Sequence, residues 1–392
     1  MRAEIITVGS ELLLGQIVDS NAAFIARQLA AIGLDLHFKT TVGDNLSRLA
    51  DTLRAALSRS QVVIVTGGIG PTADDVTREA VAEAMGRPLR FSPDLMAEIE
   101  AFFRARGVGL SPSNEKQAYI PEGARPLSNP VGTAPGFILE VGPQAVAVLP
   151  GVPREMEHLL ITRVIPYLKD RYRLSGLIQS RILRVSGLGE SKVGETLKDF
   201  METGSNPTVG TMAHLGQVDV RIAAKGATEQ EARALIAPVE TEIRRRLADL
   251  VFGADGDTLE GVVVAALRSR RWRLAVIEAG SGGLLSARLH DAPEGSAVYQ
   301  GGIVVPSVDR GLPPPLDQEG DDLTALVRKW FGVEVGVSVV IAQPGSDGSV
   351  VGRVRIAAPT GGAEKEYRFA GPIAQIRVRM VSATLDLIRR II

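Results

Sequence analysis

The stretch TGGIGPTADDVTRE, residues 66–79, decides how the fold of this 392-residue chain is interpreted. It follows an apolar, β-branched run at residues 62–65, which is typical of a buried parallel strand. It precedes apolar residues at helical spacing between residues 76 and 85. The stretch is therefore predicted to form a strand-to-helix turn, which is where doubly wound α/β sheets bind their ligands.

Three glycines and two acids in this turn indicate a metal-assisted phosphate site. Gly67, Gly68 and Gly70 allow backbone angles that side chains forbid, and they let a ligand approach closely. Backbone amides at the start of a helix attract phosphate. The adjacent carboxylates of Asp74 and Asp75 would repel that phosphate unless a hard cation lay between them. The competing interpretation is a glycine turn with an aspartate as helix N-cap, and the stretch alone favours neither.

Composition narrows the class of protein. Forty-four basic and 45 acidic residues leave a formal net charge of −1, so no general nucleic-acid or membrane surface is predicted. The chain has no cysteine, which excludes disulfides, thiolate metal sites and a cysteine nucleophile. Because neither a leader nor a bilayer-long apolar run is found, we expect a cytoplasmic protein. A chain of this length is expected to fold as two or three domains.

Alternating strand and helix patterns over residues 1–170 predict a parallel α/β sheet with right-handed crossovers. Glu11, Asp19 and Asn21 lie on or just after the turn that follows the first strand. Parallel strands end at one edge of a sheet, so these side chains could reach the acidic pair. The alternatives are a helix N-cap for Asp19 and a solvated loop acid for Glu11.

A second glycine-rich polar loop, residues 129–136, completes the predicted site. Thr133 and the neighbouring amides of this loop could contact a phosphate or a sugar. Lys116 and Arg154 are the cations that we would place near an anionic ligand, although a lone cation of this kind is more often a solvated surface residue.

Five motifs, in order, resemble the amino-terminal domain of the CinA family: GSELLLGQIVDSN, TGGIGPTADDVTRE, SNEKQA, NPVGTAPGF and LPGVPREM. That domain is similar to the molybdopterin-binding fold of the MogA and MoeA proteins. The resemblance covers about residues 1–170 and implies an α/β sandwich with a parallel sheet. For CinA-type proteins it also implies a metal-dependent ADP-ribose pyrophosphatase and a homodimer.

Residues 171–252 carry a small α+β pattern that resembles the KH-like linker domain of CinA proteins. A KH module grips nucleic acid with a glycine loop flanked by cations. Here the loop at residues 187–189 is followed by Glu190, and Lys192 is its nearby cation. We therefore expect a structural role for this segment, such as spacing, dimer contact or coupling of the end domains, and no nucleic-acid partner.

Residues 253–392 resemble the CinA carboxy-terminal α/β domain, whose intact members remove the amide from nicotinamide mononucleotide. The family's glycine turn reads roughly AESCTGG, and this chain has IEAGSGG, which keeps Glu278, Gly282 and Gly283. The layout of strands and helices is similar. The expected fold is thus α/β at both ends of the chain with a small α+β segment between them.

The chemistry of this last domain departs from the family. The serine nucleophile aligns with Ser296, but its tyrosine and lysine partners fall near Pro306 and Gly311. A serine needs a neighbouring base to attack, so we predict a deamidase relic that keeps the fold and has lost catalysis. The alternative is that another side chain substitutes in space: Ser281, Tyr299 or Arg310.

The leading hypothesis is hydrolysis of ADP-ribose, or of a similar nucleotide diphosphate, to two monophosphates. A divalent cation (Mg²⁺, Mn²⁺ or Co²⁺) held by the acidic pair would polarise the pyrophosphate and activate water. The other predicted members of the site are two further acids, the phosphate-holding turn and the ligand-orienting residues: Asp19, Glu11, residues 67–72 with Thr72, Asn21 and Thr133.

Three alternatives stay open at this point. The first domain could bind a molybdopterin-type ligand without chemistry. The last domain could be an active nicotinamide mononucleotide deamidase. The family name also implies a scaffold in DNA uptake or repair, although the sequence has no basic stripe that supports one.

Overall fold

The computed structural model describes residues 1–306, 322–342, 344–345 and 348–392. The chain divides into two compact units: Met1–Gln179 with Lys225–Ala234, and Ser180–Ala224 with Leu235–Ile392. Among the helices of these described ranges, none combines the length and the apolarity that a bilayer span requires.

The first unit is built on a six-stranded sheet. The strands of the unit are β1 (Arg2–Val8), β2 (Asp35–Val42), β3 (Val62–Thr66), β4 (Leu89–Phe91), β5 (Tyr119–Pro121), β6 (Arg125–Leu127), β7 (Gly136–Val141) and β8 (Gln144–Leu149). The sheet order is β2-β1-β3-β8-β7-β6, and β4 pairs with β5 in a separate ribbon.

The predicted parallel sheet is confirmed for β1, β2, β3 and β8. Its other edge differs, because β7 and β6 run antiparallel to their neighbours. Only Gly142 and Pro143 separate β7 from β8. A two-residue connection joins antiparallel strands, whereas a parallel pair needs a long crossover.

Helices cover both faces of this sheet. They are α1 (Ser10–Leu13), α2 (Ser20–Ala31), α3 (Leu46–Arg59), α4 (Thr77–Met85), α5 (Pro93–Ala105), α6 (Pro153–Leu159) and α7 (Ile165–Tyr172), with a 3₁₀ turn at Pro112–Ala118 and a π turn at Leu160–Val164. Strand β3 explains why both faces must be covered. Val63 and Val65 belong to one buried cluster and Val62 and Ile64 to another. The two faces of β3 therefore pack in two separate hydrophobic cores.

The second unit contains a four-stranded sheet and a five-stranded sheet. The strands are β9 (Leu177–Ser186), β10 (Thr208–His214), β11 (Gln217–Gly226), β12 (Val251–Ala254), β13 (Leu274–Ala279), β14 (Tyr299–Val305), β15 (Val335–Ile341), β16 (Val350–Ala358) and β17 (Gly361–Phe369). The orders are β10-β11-β9-β12 and β14-β13-β15-β16-β17. Strand β13 runs parallel to β14 and β15, whereas β16 and β17 are antiparallel additions.

The helices from residue 190 onward are α8 (Glu190–Thr196), α9 (Lys198–Thr203), α10 (Glu229–Leu247), α11 (Leu259–Arg270), α12 (Leu284–Asp291), α13 (Gly295–Val298), α14 (Leu323–Phe331) and α15 (Ile373–Ile391), with a 3₁₀ turn at Ala248–Leu250. The expected α/β class for the two ends of the chain, with an α+β segment between them, is confirmed.

The substitution Ile64→Ala tests the two-faced core. Ile64 is fully buried in β3, so its truncation should lower the free energy of unfolding by about 2–5 kcal/mol. Ile161→Ala is the matched control, because Ile161 is 50% exposed and should cost less than about 1 kcal/mol. Urea denaturation of both variants measures the difference, and equal destabilisation would contradict this core assignment.

Candidate functional site

The glycine turn after β3 is packed too tightly for any other residue at two positions. Gly67 has φ 104° and Gly68 has φ 64°. A Cβ atom on Gly67 would lie 2.3 Å from the carbonyl oxygen of Val8, at the end of β1, and one on Gly68 would lie 2.3 Å from Oγ1 of Thr77. The glycines therefore serve both conformation and close approach.

Helix α4 holds the turn in place through its first two residues. The backbone amide of Thr77 donates to the carbonyl of Gly68 (3.0 Å), and the Thr77 hydroxyl donates to the carbonyl of Gly67 (2.9 Å). Arg78 is fully buried and donates to the carbonyls of Ile69 and Gly70. Burial lowers the pKa of Arg78 to about 10, opposed by the charges of two nearby acids. The sequence pattern did not predict the role of Arg78, because hydrophobic periodicity gives no signal for a buried cation.

The acidic pair splits into one internal and one exposed carboxylate. Asp75 accepts hydrogen bonds from the backbone amide of Thr72 (2.8 Å) and from its hydroxyl. Asp74 is exposed, and the nearby Thr72 hydroxyl, the backbone amide of Asp74 and the charge of Lys116 lower the pKa of Asp74. The N-cap position of α4 is Val76, which has no side-chain cap, so neither aspartate is the helix cap of the competing interpretation.

Lys116 lies beside this turn, as the sequence analysis expected. Its Nζ donates to the carbonyls of Thr72 (3.2 Å) and Asp75, and it pairs with Glu79 at 3.3 Å. Lys116 and Thr72 line a shallow depression that we term the lysine cleft, together with further residues of the turn and of the 3₁₀ segment: Pro71, Ala73, Pro112, Ser113 and Glu115.

A second depression, termed here the first-turn cleft, lies at the ends of β1 and β3. It is lined by Glu11, Asp19 and Asn21, and by Thr66 and Gly151. Asn21 donates through Nδ2 to the carbonyl of Gly151 (2.7 Å) and to the Thr66 hydroxyl (3.3 Å). Its Oδ1 is buried and has no hydrogen-bond partner in the part of the chain that the structure describes. That atom is therefore available to a ligand donor.

The two acids of the first-turn cleft differ in whether their carboxylates already have partners. Asp19 caps α2, since its Oδ1 accepts from the amide of Ala22 (2.9 Å), and its Oδ2 pairs with Lys39 at 3.2 Å. Glu11 folds back over Gly9, where a Cβ atom would lie 2.4 Å from its carboxylate. Within the described ranges, the carboxylate of Glu11 has neither an ion-pair nor a hydrogen-bond partner, although its backbone carbonyl accepts from the amide of Gln16 (3.0 Å).

The predicted site residues are thus brought to two places. Neither Asp74 nor Asp75 lines the cleft of Glu11 and Asp19. Over the described residues, no cluster of three or more His, Asp or Glu side chains is arranged to hold a metal. The expected help of Asp19 or Glu11 to the acidic pair is therefore not seen in the geometry, because the glycine turn separates them.

The 129–136 loop is held by the half-buried carboxylate of Glu155 and lines neither cleft. Asn129 donates to the carbonyl of Ala134 (2.9 Å) and to Glu155 (2.6 Å), and a Cβ atom on Gly132 would overlap the Glu155 carboxylate. Burial raises the pKa of Glu155, opposed by the hydrogen bond from Asn129. Thr133 in this loop is half-buried, and Arg154 is exposed.

Three family models match successive parts of the chain. Residues 4–170 match a family model described as a probable molybdopterin binding domain, residues 180–253 match the damage-inducible protein CinA KH domain, and residues 256–309 match the CinA C-terminal domain. A CinA-like protein of Dictyoglomus turgidum is 40% identical over 408 aligned residues, covering 100% of this chain and 99% of that one. The chain belongs to the CinA family.

A second full-length relative and a solved structure that matches part of the chain are also similar. A CinA-like protein of Frankia casuarinae is 40% identical and covers 100% of this chain and 96% of its own length. A solved structure, of the protein CinA with unknown function from Thermoplasma acidophilum, is 42% identical over 43% of this chain and 97% of that chain, with a TM-score of 0.40. The full-length relatives confirm the family membership expected from the five motifs.

The carboxy-terminal CinA domain keeps its glutamate in a structural position. Glu278 is fully buried and accepts from the hydroxyls of Ser281 and Ser286 (both 2.6 Å) and from the amides of Leu285 and Ser286. Gly282 and Gly283, with φ 72° and 82°, form the turn that leads into α12. With four donors, the Glu278 carboxylate is committed to this turn.

Ser296, the position of the family's nucleophile, is exposed on α13 and has no hydrogen-bond partner among the described residues. The Ser281 hydroxyl donates its hydrogen bond to Glu278. Burial raises the pKa of Tyr299, and a hydrogen bond with Ser286 opposes this shift. Pro306 carries no ionisable group, and Arg310 and Gly311 lie outside the described residues.

The substitution Gly67→Ala tests the constraint on the turn. A Cβ atom here meets the Val8 carbonyl in a backbone conformation that alanine rarely adopts, so we expect a loss of at least about 2 kcal/mol. Gly109→Ala is the control, because it has open space, and should change stability by less than about 0.5 kcal/mol. Hydrogen exchange of the β1 and β3 amides reports the local effect. Unchanged exchange in Gly67→Ala would refute the constraint.

Proposed function

We propose that the first unit hydrolyses the pyrophosphate of ADP-ribose, or of a similar nucleotide diphosphate, to two monophosphates. The observation that carries the proposal is the pair of clefts at the two ends of one glycine turn. Thr66, before the turn, lines the first-turn cleft, and Thr72, within it, lines the lysine cleft. A substrate with two ends joined by a pyrophosphate matches this arrangement.

The donor set fits a divalent cation (Mg²⁺, Mn²⁺ or Co²⁺) bound by Asp74 and Asp75. The hydrogen bonds from Thr72 use only Oδ2 of Asp75, so its Oδ1 is available, and the lowered pKa keeps Asp74 charged. Two carboxylates completed by substrate phosphates and water is the common way of binding Mg²⁺. Such a cation would polarise the pyrophosphate and lower the pKa of bound water.

The chain's own residues would position the substrate. Gly67 and Gly68 leave the backbone open to close approach by phosphate, with the positive end of α4 behind them. Lys116 adds positive charge at the lysine cleft. At the other end of the turn, the unpartnered Oδ1 of Asn21 can accept a hydrogen bond from a ribose hydroxyl.

One alternative has a specific observation in its favour. Residues 4–170 match a family described as molybdopterin-binding, so this domain could hold a ligand of that type without chemistry. Product chromatography discriminates the two functions. Incubation with a panel of nucleotide diphosphates, crossed with Mg²⁺, Mn²⁺ and Co²⁺, should yield metal-dependent monophosphates if the chain is a hydrolase and none if it only binds.

The substitution Asp74→Asn should lower the metal-dependent kcat/KM for ADP-ribose by at least about 100-fold, because it removes a charged ligand at the reacting pyrophosphate. Asp94→Asn is the matched control, since Asp94 is also exposed and lies at the start of α5, away from the turn. Steady-state kinetics with Mn²⁺ measures both. Full activity in Asp74→Asn would remove this mechanism.

The carboxy-terminal domain is proposed to be inactive as a deamidase, because Ser296 has no base beside it in the described ranges and Glu278 is committed to its turn. The full chain should release no ammonia from nicotinamide mononucleotide, and Ser296→Ala should behave identically in a coupled ammonia assay. Ammonia release that disappears in Ser296→Ala would show that the deamidase is intact.

A further inference from the structure

A groove of about 470 Å³ lies in the second unit. Its walls are the loop before α8, the turn between β10 and β11, strand β17 and helix α15; we term it the α15 groove. Its volume is in the range of small-molecule sites. The residues that matter below are Lys365, Tyr367, Phe369 and Arg379, with His214 and Glu190 on the opposite wall.

Two glycines fix the walls of the groove against α15. Gly216, in the β10–β11 turn, has φ 83°, and a Cβ atom there would lie 2.9 Å from Cβ of Ser382. Gly187, before α8, has φ 89°, and a Cβ atom there would lie 3.5 Å from Asp386. The β10–β11 turn thus approaches α15 closely at Ser382, and the turn before α8 lies beside Asp386 of the same helix.

Strand β17 supplies an aromatic platform. The rings of Tyr367 and Phe369 are stacked, with centroids 6.1 Å apart and planes 10° from parallel. Lys365 lies over the Tyr367 ring at 5.1 Å. Burial raises the pKa of Tyr367 to about 12. Aromatic side chains beside a cation are typical of sites at which nucleobases stack.

Arg379 supplies a positive charge that nothing else in the groove uses. Within the described residues, its half-buried guanidinium has neither an ion-pair nor a hydrogen-bond partner. The acids nearby are engaged elsewhere. Asp386 pairs with Arg389 and Arg390, and Glu190 accepts from Thr211 (3.2 Å).

The opposite wall is also held in place. His214 contacts Asp219 at 3.0 Å through Nε2, and Asp219 is itself paired with Arg184 at 2.7 Å. His214 thus lies in the wall of the groove with its ring held by Asp219. The cations that face an incoming ligand are Arg379 and Lys365, and Glu190, held by the Thr211 hydroxyl, is the acid on the opposite wall.

We propose that the α15 groove binds a nucleoside monophosphate, with the base on Tyr367 and Phe369 and the phosphate on Arg379. Arginine suits this role, because its planar fork of donors matches phosphate oxygens. The assignment concerns the second unit and does not depend on the proposed hydrolysis in the first.

The experiment is hydrogen exchange of the full chain, titrated with AMP. Protection should appear in peptides that cover residues 186–190 and 365–369. Arg379→Gln should raise the AMP concentration for half-maximal protection at least about tenfold, as expected for loss of a charge-assisted hydrogen bond. Arg368→Gln is the matched control. Arg368 lies between the two aromatic residues, points to the opposite face of β17, and is 74% exposed, so its loss should change nothing.

Two fragments separate ring from charge. Adenosine, which lacks the phosphate, and ribose 5-phosphate, which lacks the base, should each need at least about ten times more ligand than AMP. Protection in the α15 groove is measured in peptides of the second unit. Binding at the glycine turn would instead protect peptides that cover residues 66–79, so the two sites are distinguished.

Three results would overturn the proposal. The first is no protection of these peptides at millimolar AMP in the wild-type chain. The second is an unchanged half-maximal concentration in Arg379→Gln. The third is protection by an octameric oligoadenylate at a concentration tenfold or more below that of AMP, which would assign the groove to a nucleic-acid strand.

Discussion

The approach of Gly67 to the end of β1 is the steric constraint on which the candidate site depends. With 2.3 Å between a hypothetical Cβ atom and the Val8 carbonyl oxygen, only glycine lets the turn after β3 sit against the neighbouring strand. The first-turn cleft is lined by Thr66, just before that turn, and the lysine cleft by Thr72, within it. Thr77 and the buried Arg78 then hold the turn from the helix side.

The negative charge of the two aspartates in the turn is partly balanced by nearby cations, which the sequence of the turn alone does not indicate. The pair of aspartates predicted a metal as a counter-charge. However, the charge of Lys116 acts on Asp74, and the charge of Arg78 interacts with that of Asp75. Asp75 is also engaged with Thr72. In our account the cation is needed mainly for the added negative charge of the pyrophosphate. Asp74, exposed and ionised, is the carboxylate best placed to bind it.

Sequence patterns predicted what depends on local spacing, and they failed where a contact is long-range. The run at 62–65 predicted β3, and Asp19 was recognised as a potential cap, because both signals lie within a few residues. The burial of Arg78 and the separation of Glu11 from Asp74 had no local signal. Both follow from packing between segments distant along the chain. The α15 groove was missed for the same reason, since four separate segments form it.

The central claim is that the acidic pair beside the glycine turn holds a metal on a nucleotide pyrophosphate. The most direct test is anomalous diffraction from crystals grown with Mn²⁺ and an ADP-ribose analogue whose bridging pyrophosphate oxygen is replaced by methylene. The account predicts one manganese peak shared by Asp74, Asp75 and the phosphates over residues 67–72. A manganese peak on Glu11 and Asp19, or an analogue bound away from the end of β3, would contradict it.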